Sequence, residues 1–169
     1  AVPPKIYLAG SSEIFGHAKE SMQTERTPFN PTSPYGVCKA FCVQMGKVYR
    51  SGYDMHVSNG ILYNHESPRR GENFVTQKIV RGAASIAQGK SEFLELGNLD
   101  IERDWGYAPD YVLGMWMMLQ QEKGDDYILA TGKTHKLSDF RQMAFEYFGL
   151  DHQKHIRINP KFVRPNEPI

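Results

Sequence analysis

The chain has 169 residues, and its 20 Lys and Arg against 19 Asp and Glu give a formal net charge of +1 at pH 7. This balance provides no overall attraction to nucleic acid or to an anionic membrane, so we expect neither as a partner. A content of 40% hydrophobic and 12% aromatic residues excludes a disordered chain, and charged residues interrupt every apolar run. The composition predicts a soluble globular protein. Its two cysteines, Cys38 and Cys42, lie four apart with no distant partner for a disulfide, which favours the cytoplasm.

Strands and helices are predicted to alternate along the chain. The first helix is the clearest, because Ser33 is a good N-cap, Pro34 suits the first helical position, and four apolar residues follow at helical spacing (Val37, Phe41, Met45 and Val48). The predicted strands are residues 5–9, 56–64, 93–98 and 127–130, and the predicted helices are residues 34–51, 74–88, 108–121 and 138–148. This alternation predicts an α/β sheet.

The glycines of the chain are too widely spaced for a phosphate-binding loop. No two of the 15 glycines lie closer than six positions apart, whereas the dinucleotide fingerprint and the Walker loop both need closer pairs. We therefore expect the phosphate loop of any nucleotide cofactor to lie outside these residues.

Tyr35 and Lys39 lie four apart on the first predicted helix and share a face. A neighbouring cation favours the phenolate form of tyrosine, so the pair is a candidate general base. The alternative is a chance spacing on a solvated helix face, since lysines and tyrosines are both frequent in this chain.

Residues 11–13 place two hydroxyls beside one carboxylate at the end of the first predicted strand. Ser11, Ser12 and Glu13 stand where open α/β sheets bind ligands, and this set is suited to binding a polar oxygen and moving a proton. The alternative is that these residues only end the strand and begin a loop or helix.

Residues 64–70 form a polar segment after the second predicted strand, and two adjacent arginines close it. Guanidinium groups bind phosphate through paired charged hydrogen bonds, so the segment is a candidate phosphate site to which Lys78 and Arg103 are possible additions. The alternative is a solvated basic loop. His152 and His155 lack further ligands at metal-site spacing, and we predict no metal site.

Four segments, taken in their order, resemble the extended short-chain dehydrogenase/reductase family, and within it the nucleotide-sugar dehydratases. Residues 11–16 are similar to a hydroxyl, hydroxyl, Glu, apolar, aromatic, Gly segment, and residues 33–39 to the helix that carries Tyr-x-x-x-Lys. The most specific segments are YNHESPRRG at 63–71 and RDWG at 103–106, the latter within LGNLDIERDWGYAPDYV. Ser11 departs from the more frequent threonine but keeps the hydroxyl.

The resemblance implies a fold and an assembly. The fold class is α/β, the later half of a Rossmann-like parallel sheet with a small interleaved C-terminal substrate-binding domain. Residues 1–65 and 106–133 are expected in the NADP-binding part, and residues 66–105 and 134–169 in the substrate-binding part. A homodimer or homotetramer is expected.

The resemblance also implies roles for individual residues. Ser11 is expected to hydrogen-bond the reacting sugar hydroxyl, Glu13 to be the acid/base of an elimination, and Tyr35 to be the base, with Lys39 supporting it and touching the cofactor ribose. The NADP-binding positions are His65 and Arg70, and the substrate-binding positions are Ser12, Asn64, Lys78, Arg103, Arg164 and Glu167.

The implied activity is a lyase reaction, the NADP-dependent dehydration of GDP-mannose. The alternatives are a related sugar-nucleotide dehydratase, epimerase or reductase, or a noncatalytic fragment of one. Because the implied glycine-rich beginning is not in this sequence, we expect an N-terminally truncated chain that by itself is poorly stable or inactive.

Overall fold

The computed structural model describes residues 3–162 and divides them into two compact units. The first unit contains the chain up to His65 together with Asp104–Lys133, and the second contains Glu66–Arg103 and the described residues from Thr134 onward. No helix within residues 3–162 is long and apolar enough to cross a membrane. The helices are α1 Pro34–Tyr53, α2 Val75–Ala87, α3 Ala108–Gln120, α4 Leu137–Tyr147 and α5 His152–His155. The strands are β1 Ile6–Ala9, β2 Val57–Leu62, β3 Asn64–Glu66, β4 Leu94–Leu96, β5 Glu102–Tyr107, β6 Asp126–Leu129, β7 Thr134–Lys136 and β8 Ile156–Ile158.

The first unit contains a parallel sheet in the order β1-β2-β6. Every residue of β2 is buried, because this strand lies between the other two and contacts both α1 and α3. A fully buried parallel strand needs no alternation of polar and apolar residues. The register pairs Ala9 with Gly60 and Leu62 with Leu129, so β1 and β2 end close together.

A glycine allows β1 and β2 to pack as they do. A Cβ atom at Gly60 would lie 2.6 Å from the ring of Tyr7, so this position has no room for a side chain. The Tyr7 hydroxyl is buried without a hydrogen-bond partner, and burial raises the pKa of Tyr7 to about 12. The ring of Tyr7 therefore packs against β2, and its hydroxyl stays protonated at neutral pH.

Helix α1 confirms the predicted helix but buries a different face from its most regular apolar stripe. Val37, Phe41 and Val48 are exposed, whereas the buried residues of the helix are Gly36, Val43 and Gly46. The small residues bring the helix axis close to the sheet, and Val43 joins a core with Ile14, Phe15 and Ile61. Periodicity located the helix, but packing selected its buried side.

A buried carboxylate connects α1 to the sheet. Asp126 accepts hydrogen bonds from Arg50 at 2.7 Å and from Asn59 at 2.7 Å, and Lys47 lies 2.9 Å away. Burial raises the pKa of Asp126, but the bonds from these three partners outweigh burial and hold it below its ordinary value. The amide of Asn59 also donates to the carbonyl of Val43 at 3.0 Å. Sheet and helix therefore share one polar network.

The second unit has its own core. Helix α2, predicted over residues 74–88, buries Ile79, Ala83 and Ile86, and it contacts both α4 and β4. Strand β4 pairs in parallel with β8. Phe145 on α4 is fully buried, so α4 supplies a large side chain to this core.

Several elements differ from their predicted form. The predicted strand over residues 56–64 is two strands, β2 and β3, separated by Tyr63. Strands β5, β7 and β8 and helix α5 were not predicted, because β5 reads ERDWGY without alternation and the others have only three or four residues. Within α3, Met118 is buried, whereas the neighbouring Trp116 and Met117 are exposed.

Candidate active site

Glu13 lies in a short 3-10 turn that follows β1. The turn spans Ser12–Ile14, and the hydroxyl of Ser11 accepts a hydrogen bond from the backbone N–H of Glu13 at 3.3 Å. Ile14 and Phe15 are buried beneath the turn, so apolar packing fixes its backbone while Glu13 stays at the surface. The end of β1 therefore presents a hydroxyl and a carboxylate on a firmly anchored turn.

Ser33 joins this turn to α1. Its hydroxyl accepts a hydrogen bond from the backbone N–H of Gly36 at 3.0 Å, which makes it the N-cap of the helix. The same hydroxyl donates to Oε2 of Glu13 at 2.9 Å. Sequence reasoning assigned Ser33 only the capping role, because nothing in the spacing shows that a residue 20 positions earlier lies against it.

Tyr35 and Lys39 project from the first turns of α1. Half of Tyr35 is exposed (52%), which leaves its phenol accessible to a bound molecule. The ammonium of Lys39 lies 5.5 Å from the centre of the Tyr35 ring and donates to the carbonyl of Ala9 at 2.8 Å. Because Ala9 ends β1, this bond holds the lysine between the phenol and the end of the sheet.

The four predicted catalytic residues therefore come from two adjoining segments of the first unit. Ser11 and Glu13 belong to the turn after β1, Tyr35 and Lys39 belong to α1, and the turn contacts that helix. The set contains a hydroxyl donor, a carboxylate, a phenol and an ammonium, which are the groups needed for proton transfer at two neighbouring positions of one substrate.

His65 follows in β3 and stacks on an aromatic ring. Its Nδ1 lies 2.9 Å from the carbonyl oxygen of Tyr63, which can only accept, so Nδ1 carries the proton. Its ring is stacked on Tyr111 with centroids 4.9 Å apart. Sequence reasoning assigned Tyr111 no role beyond its place in the predicted helix over residues 108–121. The one sequence feature that relates to the packing of its ring is Gly106, because a Cβ atom at that position would lie 2.2 Å from the Tyr111 ring.

Two tyrosines of this unit are excluded as bases. Burial, together with the charge of Asp104, raises the pKa values of Tyr63 and Tyr111 to about 12. Asp104 is itself buried and accepts hydrogen bonds from the backbone N–H groups of Thr131 at 3.0 Å and Gly132 at 2.8 Å. Both phenols stay protonated at neutral pH, in contrast to the exposed position of Tyr35.

In the second unit, the predicted cation Arg70 rests on an aromatic ring. Its guanidinium carbon lies 3.5 Å from the centre of the Phe74 ring, and its Nε is 3.4 Å from the carboxylate of Glu66 without hydrogen-bond geometry. Glu66 also accepts a hydrogen bond from Thr76 at 2.6 Å. The guanidinium is thus held by a ring and a carboxylate near the start of α2.

Lys78 lies in α2, one turn after Phe74. Its ammonium is 3.6 Å from the centre of the Phe162 ring. Burial lowers the pKa of Lys78, and the nearby charge of Glu95 opposes that shift. Gly97 allows the backbone of Phe162 to come close, because a Cβ atom at Gly97 would lie 2.4 Å from the Phe162 carbonyl oxygen. The sequence analysis did not predict that Arg70 contacts Phe74 or that Lys78 contacts Phe162.

The remaining predicted residues have the following positions. Ser12 lies in the turn beside Glu13, and Asn64 is half-buried at the start of β3. Arg103 lies in β5 and donates to the carbonyl of Glu102 at 2.7 Å. Two further predicted substrate-binding residues, Arg164 and Glu167, lie outside the described residues.

Residues 2–168 match the family model described as GDP-mannose 4,6 dehydratase. The chain belongs to the GDP-mannose 4,6-dehydratase family. A relative of this name from Sinorhizobium fredii is 54% identical over 146 residues, covering 86% of this chain and 42% of that protein. The Drosophila melanogaster relative is 47% identical over 180 residues, covering 96% of this chain and 46% of that protein. The chain therefore spans about half the length of the curated relatives it matches.

Solved structures share the fold at lower sequence identity. RMD from Pseudomonas aeruginosa, complexed with NADPH, superposes with a TM-score of 0.83 at 20% identity, covering 94% of this chain and 53% of that one. A dTDP-glucose 4,6-dehydratase from Bacillus anthracis, in complex with NAD, gives a TM-score of 0.82 at 20% identity, covering 95% of this chain and 50% of that one. The likeness confirms the predicted Rossmann-like α/β fold.

The chain's own groups fit part of a nicotinamide cofactor. In the first unit, the accessible phenol of Tyr35 and the ammonium of Lys39 are donors of the kind that ribose hydroxyls require. His65 adds a flat ring that is oriented by its stack on Tyr111. Because its Nδ1 bonds the Tyr63 carbonyl, Nε2 is the ring nitrogen that is left to contact a ligand. These groups suit the ribose end of such a cofactor.

Proposed function

We propose that this chain carries the catalytic and substrate-binding residues of an NADP-dependent GDP-mannose 4,6-dehydratase, a lyase that converts GDP-D-mannose to GDP-4-keto-6-deoxy-D-mannose. The observation that carries the proposal is the joining of the Glu13 turn to the helix of Tyr35 and Lys39, in a chain that belongs to this family. The reaction needs one base for the oxygen on carbon 4 and another for the hydrogen on carbon 5, and the two segments supply one each.

Tyr35 is the proposed base for the first step. The phenol oxygen of Tyr35, with the ammonium of Lys39 beside its ring, takes the proton of the 4-hydroxyl while Ser11 hydrogen-bonds the same sugar oxygen. NADP, when bound, supplies a hydride acceptor for carbon 4 and later returns that hydride to carbon 6. Carbon 5 then takes up one proton, which balances the proton that Tyr35 removed from the 4-hydroxyl, so the overall reaction is redox-neutral. Lys39 is also the proposed ribose contact.

Glu13 is the proposed base and acid of the elimination. Once carbon 4 is a ketone, the hydrogen on carbon 5 is acidic, and the carboxylate of Glu13 takes it as a proton. The electron pair of that bond forms the double bond between carbons 5 and 6 as the bond from carbon 6 to its hydroxyl breaks. The proton returns to the departing hydroxyl, which leaves as water.

The binding roles follow the units. We assign the first unit to the cofactor, through Lys39 and His65, and the second mainly to the GDP-sugar, through Lys78 and Arg103. Arg70 is a further proposed contact to NADP. The other proposed contacts to the GDP-sugar are Ser12, Asn64, Arg164 and Glu167.

The choice of NADP over NAD is part of the proposal and rests on Arg70. Its guanidinium is suited to an additional phosphate, and the Phe74 ring supports it from one side. We further propose a homodimer or homotetramer in the cytoplasm. The cytoplasmic assignment rests on two unpaired, exposed cysteines.

Mass spectrometry of GDP-mannose incubated with NADP and the protein tests the proposal. The chain and a longer polypeptide containing it are assayed in parallel, and the expected product is lighter by one water without accumulation of NADPH. Glu13→Gln should still permit oxidation at carbon 4 but stop water loss, whereas Tyr35→Phe should slow the first step. The controls, Glu122→Gln and Tyr53→Phe, change exposed residues of the same unit.

Four outcomes would contradict this assignment. Normal water loss by the Glu13→Gln variant would remove Glu13 from the elimination. Inversion at carbon 4 without water loss would favour an epimerase, and net consumption of NADPH would favour a reductase. Failure of the longer polypeptide to change GDP-mannose, with conversion of another nucleotide sugar, would favour a different dehydratase.

A further inference from the structure

The hydroxyl of Ser33 has a single proton, and its neighbours determine where that proton points. The backbone N–H of Gly36 can only donate, so it uses the oxygen of Ser33 as an acceptor at 3.0 Å. An ionised carboxylate can only accept, so the Ser33 proton is directed at Oε2 of Glu13, 2.9 Å away. The N-cap of α1 is therefore also a donor to the candidate base of the elimination.

Glu13 is held at its backbone as well as at its side chain. Its N–H donates to the hydroxyl of Ser11 at 3.3 Å, and its carbonyl oxygen lies only 2.7 Å from the Cβ position of Gly36. Packing of the turn against α1 therefore fixes the backbone of Glu13, while its exposed side chain can still rotate. The bond from Ser33 restricts that rotation by holding Oε2, and it leaves Oε1 to receive a proton from the substrate.

We propose that Ser33 is a positioning residue for Glu13, an inference that rests on the proposed function. Ser33 stands two residues before Tyr35, so the first turn of α1 that presents the phenol also holds the carboxylate. Carbons 4 and 5 are neighbours on one sugar ring, so the bases that serve them need a constant separation. The Ser33 bond couples the two bases through one helix terminus.

Three substitutions separate this role from capping. Ser33→Thr keeps both a cap and a donor, and Ser33→Ala removes both. Ser33→Asp keeps an oxygen that accepts from the Gly36 N–H but cannot donate to Glu13. The control Asp151→Ala removes the N-cap of α5, which accepts from Gln153 at 3.0 Å and lies in the other unit.

The first readout is kinetic and uses GDP-mannose deuterated at carbon 4 or at carbon 5. For Ser33→Ala and Ser33→Asp we expect kcat to fall by about ten- to hundredfold with little change in KM, as for loss of a hydrogen bond to a charged group. The isotope effect from carbon 5 should rise while that from carbon 4 does not. Ser33→Thr should restore kcat, and Asp151→Ala should alter neither isotope effect. Equal changes in both isotope effects, or full activity of Ser33→Asp, would contradict the role of Ser33 in positioning Glu13.

The second readout does not depend on activity. A double-mutant cycle of Ser33→Ala and Glu13→Ala, measured by urea unfolding, should give a favourable coupling between the two side chains. Additive effects would overturn the proposed contact, even in an active protein. If the wild-type protein dehydrates no nucleotide sugar, the proposed function fails by that result alone, while the cycle still decides whether Ser33 holds Glu13.

Discussion

The imidazole of His65 lies face to face with the phenol ring of Tyr111, with ring centroids 4.9 Å apart and 20° between the planes. Tyr111 is 5% exposed, and its hydroxyl is buried without a hydrogen-bond partner. The ring, rather than the hydroxyl, is therefore the part of Tyr111 that supports His65.

Tyr111→Leu should weaken NADP binding by about three- to tenfold, because His65 loses the aromatic face that orients it. Tyr111→Phe keeps the stack and removes only an unpartnered hydroxyl, so it should bind NADP like the wild type and be no less stable. Titration of the cofactor by fluorescence, with thermal unfolding in parallel, distinguishes the two variants. Equal NADP affinity of the Leu and Phe variants would contradict the supporting role of the ring.

Gly60→Ala should destabilise the first unit by about 1–3 kcal/mol, because its Cβ atom would meet the ring of Tyr7 at 2.6 Å in the buried sheet. Gly52→Ala is the matched control, since a Cβ atom there meets nothing within 4 Å and the residue lies in α1. Alanine is the better helix former, so the control should gain up to about 1 kcal/mol. Urea unfolding measures both changes, and the same sign for both would refute the packing argument.

Asp126→Asn should destabilise the protein by about 2 kcal/mol at neutral pH, because Lys47 and Arg50 lose the negative charge of their buried hydrogen-bond acceptor. Asp125→Asn is the control, since its side chain is 75% exposed and lies 3.9 Å from Arg50, and it should change stability by less than about 0.5 kcal/mol.

The effect of Asp126 should also depend on pH. The folded state holds the pKa of this carboxyl below its ordinary value of 3.8, so the unfolded chain binds more protons between the two pKa values. Its stabilising contribution is therefore complete above the ordinary pKa and is lost as the pH falls through the lower one. Unfolding measured from pH 7 to pH 2 should show the advantage of the wild type over Asp126→Asn shrinking at the acid end. A constant difference across that range would contradict the shift.

Phe162→Leu should lower the affinity for GDP by about three- to tenfold, because the ammonium of Lys78 loses the ring that holds it at 3.6 Å. Phe93→Leu removes a similar contact, in which the guanidinium of Arg157 lies 3.2 Å from the ring centre, and should leave GDP binding unchanged. Isothermal titration with GDP measures both variants. Phe162→Tyr, which retains a ring, should bind like the wild type, and an equal loss for the Phe162 and Phe93 variants would oppose a specific role for Phe162.

Local features of the sequence were enough to locate most of the elements. Ser33 and Pro34 marked the start of α1, and the spacing of Ile79, Ala83 and Ile86 marked the inner face of α2, because caps and periodicity act within a few residues. The same reasoning failed for β5, whose residues ERDWGY carry no alternation and become a strand only through pairing with distant backbone.

The sequence by itself determined the family, the α/β alternation and the identity of the candidate catalytic groups, since motifs and helical spacing are written along the chain. Only the tertiary structure decided that Ser33 donates to Glu13, that α1 buries Val43 and exposes Phe41, and that His65 stacks on Tyr111. Each of these contacts joins residues that are far apart in sequence or selects one helix face over another. Such choices depend on the packing of the whole unit, which no local pattern encodes.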